Sequence, residues 1–293
     1  MEWTPGGSSD DVEDRRDDSG GGGGGGFGFQ PGGIHLGIGG TIIVLILSVV
    51  FRTNFFAFLS PGASVGRAPV AHSAPDPART AREKPEVDFV TFVLNDAQQT
   101  WDRLLPVQAG VRYHHAKLLL FRNSYPSACG AANAATGPFY CPGDEKVYID
   151  LGFYDELKTR FGASGQFAQA YVIAHEIGHH VQKLVGTEAR MRQAQQRNPS
   201  AANGLSVRLE LQADCYAGIW GNSTEQRKLI DENDVADGLR AAAAVGDDHI
   251  QKMMTGHVSP ESFTHGSSAQ RTAWFKRGLA TGQMSDCDTF GVR

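Results

Sequence analysis

AQAYVIAHEIGHHVQKLVG, residues 168–186, is the stretch around which the rest of the chain is read. Tyr171, Val172, Ile173, Val181, Leu184 and Val185 place apolar residues on several faces, so the spacing predicts a buried helix over residues 166–185 that stops at Gly186. Inside it stands H-E-x-x-H. Residues four apart on a helix are separated by about 400°, which brings His175 and His179 within about 40° of each other. Two imidazoles one turn apart can share one cation, and Glu176 reaches the space beside it, where a water would sit. The motif arises by chance on surface helices. In a buried helix the same two histidines and glutamate need partners, because unpaired buried polar groups are costly. Gly178 points the same way: a mid-helix glycine costs about 1 kcal/mol relative to alanine and usually marks a close backbone approach.

A catalytic zinc needs a third protein ligand and an open position. The best-placed candidate is Glu210 in E-L-Q-A-D, on a helix predicted over residues 205–220. Asp214 shares its face by the same four-residue spacing and suits a hydrogen bond from the second nitrogen of a ligand histidine. The small Ala213 lets the two helices approach. The alternative, an exposed acidic face, fits poorly with the neighbouring Leu209, Leu211, Ala217, Ile219 and Trp220.

Outward from this site the chain divides into four parts. Residues 1–31 hold seven of the 32 acids, two of the 27 bases and a glycine run from Gly20 to Gly26. Such a composition predicts a disordered tail. The remainder is formally neutral, which argues against nucleic acid as a partner. Ile34 to Phe51 contains no Asp, Glu, Lys or Arg. As a helix it would span about 27 Å, so residues 32–52 are assigned a single transmembrane helix. A cleaved signal peptide fits less well, because the run starts late and follows acidic sequence. Residues 53–86, rich in Pro, Ala and Ser, read as a linker, and residues 87–293 as the catalytic domain.

Within that domain Val87 to Leu105 reads as a helix ending before Pro106, and Lys117 to Phe121 and Lys146 to Leu151 read as strands. Alanine-rich helices follow between Glu232 and Met254. A last helix begins near Ser267, which has capping-box spacing to Gln270. The expected class is α+β, mostly helical with a small sheet. Cys129, Cys141, Cys215 and Cys287 show no C-x-x-C spacing. The preferred reading is two disulfides, Cys129 with Cys141 and Cys215 with Cys287, in an oxidising compartment; buried free thiols are the alternative.

HEIGHH together with ELQADCYAGIW resembles the bacterial putative neutral zinc metallopeptidase family, a membrane-anchored group with a gluzincin-like arrangement. VEDRR (12–16), GPFYCP (137–142), GDD (246–248) and THGSSAQR (264–271) extend the resemblance over tail, anchor and domain. It implies a zincin-like metallopeptidase fold in which one zinc ion is held by His175, His179 and Glu210, with Glu176 catalytic and Asp214 orienting a ligand.

His265 precedes the capped final helix and is a second catalytic candidate, as donor to the oxyanion of a tetrahedral intermediate. Packing against Trp274 or Phe275 is the competing role. His180 points away from the metal and reads as structural; His114 and His115 fall in a loop. The GDD turn and Arg271 suggest an ion pair. The function expected is a membrane-anchored zinc peptidase acting on proteins or peptides at the outer face of the bacterial cell membrane, with strand 146–151 bordering its cleft. The rivals are a zinc-stabilised scaffold without activity and a cell-envelope amidase.

Overall fold

The computed structural model describes residues 1–18, 77–133, 137–159 and 165–291. Along the chain these form β1 (Val12–Asp14), α1 (Pro77–Ala109), β2 (Lys117–Phe121), β3 (Ser124–Ser127), β4 (Gly130–Asn133), β5 (Phe139–Cys141) and β6 (Lys146–Asp150). Helices α2 (Gly152–Thr159), α3 (Gln166–Leu184), α4 (Thr187–Arg197), α5 (Ala202–Gln226), α6 (Glu232–Ala244), α7 (Asp247–Thr255) and α8 (Ser268–Thr281) follow. The described residues are thus mostly helical with a small mixed sheet, as expected.

The sheet has the order β1-β2-β6-β5, with β1, β2 and β6 parallel and β5 antiparallel to β6. The unbroken run Leu118–Phe121 is explained by burial on both faces. Leu118 and Leu120, with Val147 and Ile149, join the main core formed with Phe89, Val93 and Leu94 of α1 and Ala170, Ile173 and Ile177 of α3. Leu119 and Phe121 face a smaller cluster with Tyr148, Cys141 and Ala132. Both disulfides pair as preferred, Cys129 to Cys141 and Cys215 to Cys287. Ser267 and Gln270 form the capping box at the start of α8.

Three expectations need correction or limitation. Residues 1–18 belong to the folded domain rather than to a disordered tail: β1 pairs with β2 in the register Val12 to Leu118. Their charges do not solvate the segment, because partners meet them. Lys117 binds Asp11, Lys146 binds Glu13, and Arg16 lies between Asp14 and Glu83. Residues 77–86 are the start of α1, not a linker. Their i,i+4 pairs Arg79–Glu83 and Lys84–Asp88 favour a helix, which continues through Pro85 and Pro106 to Ala109. The transmembrane helix assigned to residues 32–52 lies outside the described residues, as does 53–76 of the linker. Among the described residues no helix is long and apolar enough to cross a membrane.

The helix crossings that matter for the site depend on small residues. A Cβ at Gly178 of α3 would lie 3.0 Å from the Ala213 carbonyl oxygen of α5, so the two helices touch backbone to backbone there. Side chains at Gly218 and Gly278 would run into the Phe275 and Cys215 carbonyls, which packs α8 equally closely on α5. The Cys215–Cys287 bridge holds the segment after α8 to α5.

Candidate active site

The α3–α5 contact brings His175, His179 and Glu210 together, with one ligand atom from each lying within 4.8 Å of the others. His175 Nε2 is 3.2 Å from Glu210 Oε2, and His179 Nε2 is 3.5 Å from Glu210 Oε1. Each imidazole is held from behind through its other nitrogen. His175 Nδ1 donates to Asp214 at 2.9 Å, and His179 Nδ1 donates to Gln182 Oε1 at 2.9 Å. Gln182 is itself fixed by donating Nε2–H to the Leu209 carbonyl at 2.7 Å. Both Nε2 atoms therefore face Glu210, which is the arrangement a bound metal requires of its histidines.

Asp214 is fully buried and accepts from the Tyr171 hydroxyl, from His175, and from Nε and Nη2 of Arg271, the last two at 2.9 Å. Burial opposes its charge, but Arg271 and His175 together hold its pKa below the usual value. Arg271 was expected to pair with the GDD turn; instead it reaches Asp214, because α8 lies against α5. For His175, burial again opposes the cation, while Asp214 and then Glu210 lift its pKa to about 10. Glu210 stays ionised well below the usual range despite burial, held by His179 and His175. Two imidazole nitrogens and one carboxylate oxygen are donors suited to zinc, and the protons they would otherwise share are those a cation displaces.

Glu176 lines the cleft beside this cluster. It is only 7% exposed and accepts no hydrogen bond from the described residues. His265, half-buried, lines the same cleft from the loop before α8. Its Nδ1 donates to Asp247 at 3.1 Å, and Asp247 also accepts the backbone N–H groups of Thr264, His265 and Gly266. Burial disfavours the imidazolium, but the Asp247 carboxylate and then Glu210 raise its pKa. A carboxylate thus orients His265. No ring contact with Trp274 or Phe275 is found among the described residues.

The cleft has a volume of about 520 Å³. One wall is Gly137–Tyr140 with Pro142, and another is formed by Met191 and Gln195 of α4. Strand β6 cannot border it as an open edge, since β2 and β5 occupy both its sides. The correction follows from topology: among the described residues β5 is an edge strand, and its Phe139 and Tyr140 line the cleft. His180 has the structural role expected. It donates Nε2–H to the His114 carbonyl at 2.7 Å and accepts from the Tyr140 hydroxyl at 2.9 Å, and burial pushes its pKa down to about 4. His114 and His115 pair with surface carboxylates. Gln182 and Tyr140 were missed. Gln182 carries a signal, its i,i+3 spacing from His179; Tyr140 carries none beyond its place in GPFYCP.

A family model described as "Putative neutral zinc metallopeptidase" matches residues 1–290. The uncharacterized protein YpfJ of Escherichia coli (strain K12) is 44% identical over 256 residues, covering 87% of this chain and 88% of that protein. The uncharacterized protein Rv2575 of Mycobacterium tuberculosis (strain ATCC 25618 / H37Rv) is 44% identical over 209 residues, covering 68% of each chain. No solved structure matches. With nearly the whole chain matched, the protein belongs to the family described as "Putative neutral zinc metallopeptidase".

Proposed function

We propose that the protein is a zinc-dependent peptidase with a zincin-like active site, in which His175, His179 and Glu210 hold one zinc ion. The observation that carries the reading is Glu176: a residue only 7% exposed, with no hydrogen-bond partner among the described residues, beside a three-donor cluster and open to a cleft. A carboxylate that opens to a cleft beside a ligand cluster, with no partner among the described residues, suits a proton acceptor. Bound there, zinc would supply Lewis-acid polarisation and bring the pKa of a water to about 7. Glu176 would accept a proton from the attacking water and return it to the leaving amine. His265, held by Asp247, donates a hydrogen bond to the oxygen that becomes negative on attack. β5, at one end of the sheet and lining the cleft, pairs with an extended peptide backbone, adding a strand to the sheet.

A scaffold role would call for a closed site of four protein ligands. Among the described residues the cluster has three, which favours an open position. The two disulfides favour an oxidising compartment, outside the cytoplasm, for the domain. Glu176→Gln is the test: zinc content by metal analysis stays at the wild-type level, while cleavage of a peptide library falls by about 10²–10⁴. Equal cleavage by variant and wild type removes the proposed mechanism.

A further inference from the structure

The apolar run at residues 34–51 is bracketed by two parts of the domain that touch each other. On its amino-terminal side the chain is tied down at both ends of its described length. The Met1 ammonium pairs with Asp234 at 2.7 Å, Glu2 N–H donates to the Leu229 carbonyl at 2.7 Å, and the Trp3 ring packs on Phe89 at 5.2 Å. β1 then pairs with β2, and Arg16, 6% exposed, bonds Asp14 and Glu83. Arg122, next to the end of β2, closes the arrangement by donating to the Arg16 carbonyl, to Asp17 and to Glu83.

The carboxyl-terminal side returns to the same place. Thr80, in the first turn of α1, donates its hydroxyl to Asp17 at 3.1 Å. Residues 17 and 80 are therefore in hydrogen-bond contact, so the described ends on either side of the run meet at one spot. A single crossing of a bilayer would separate these two points by a hydrocarbon core of about 30 Å. Two crossings would bring the chain back, but each needs about 20 predominantly apolar residues as a helix. Residues 19–76 contain one such run: Arg52 ends it, and the sequence after Phe58 is dominated by Pro, Ala, Ser and charge.

We infer that residues 1–18 and the described residues of 77–291 lie on the same side of any bilayer the run enters. A crossing would require β1 to leave β2 and would strip Glu83 and Arg122 of Arg16 and Asp17. This inference is independent of the peptidase reading, since it uses no residue of the cleft.

The test uses the full chain, whose four native cysteines are paired. Thr4→Cys and Val107→Cys each add one thiol at an exposed position, the first in the amino-terminal stretch and the second on α1. Bacterial spheroplasts producing either variant are treated with a membrane-impermeant maleimide before and after lysis. The expected result is the same response from both: labelled in intact spheroplasts, or protected until lysis. Labelling of one before lysis and of the other only after it overturns the inference. A second variant, Ser8→Cys with Asn95→Cys, does not rely on intact cells. Asn95 Nδ2 lies 3.3 Å from the Ser8 carbonyl, so a short bismaleimide should join the two positions in isolated membranes, read by peptide mass spectrometry. Single labelling of both cysteines without the joined peptide also overturns it.

Discussion

The two sides of the cleft are built differently. On the helix side, His175 and His179 project from consecutive turns of α3, and each is held through Nδ1 by a side chain that is itself held: Asp214 by Arg271 and Tyr171, Gln182 by a backbone carbonyl. On the loop side, His265 is half-buried and leans on Asp247, with the Thr264 hydroxyl 3.0 Å from the same nitrogen. The first arrangement suits donors that must stay fixed while a metal binds. The second suits a donor that meets its partner only as charge develops during reaction. Interior, doubly supported groups should therefore give the larger mutational effects.

Removing a member of the helix side breaks the most. Glu210→Ala should abolish metal binding, and activity with it; metal analysis after dialysis against a weak chelator checks this, and retained stoichiometric zinc would move the third ligand elsewhere. Arg271→Met should destabilise the fold by about 3–5 kcal/mol in denaturant unfolding, because it leaves the Asp214 carboxylate buried without its cation. Gln182→Ala should spare the fold but lower zinc affinity by about 10–100-fold in competition with a chromogenic chelator, since His179 loses its orienting acceptor.

The loop side is probed through pH. Asp247 raises the pKa of His265, so the imidazolium, and any activity that depends on its donated proton, persists to higher pH than an isolated histidine would allow. Asp247→Asn should move the basic limb of the kcat/KM profile to lower pH while zinc content stays constant. An unmoved limb would detach His265 from catalysis. Asp247's own pKa is depressed, with burial opposing and His265 favouring the shift, so its contribution to stability is present above its unfolded value and is lost as pH falls through the folded one.

Much of this could be read along one element at a time. The four-residue separation of His175 and His179, and of Glu210 and Asp214, predicts shared helix faces, and Gly178 and Ala213 do mark the point where those helices touch. The capping box at Ser267 and the strand at Lys117–Phe121 are local patterns too, and both are present. What misled was composition taken without partners. Asp11, Glu13 and Asp14 look like a solvated acidic tail until Lys117, Lys146 and Arg16 are placed against them, and Pro85 and Pro106 look like helix boundaries although α1 runs through both.

Spacing within a helix fixes the angle between two side chains, because the backbone repeats every 3.6 residues whatever surrounds it. H-E-x-x-H was therefore enough to identify the pair of histidines and the glutamate beside them. No such rule says that Arg271 reaches Asp214 from 57 positions away, that β5 rather than β6 is the open edge, or that residues 1–18 close the sheet. Those depend on which helices and strands pack together. That choice is made by the burial of the whole core and the pairing of charges distant in the chain, and it becomes visible only once the elements are assembled.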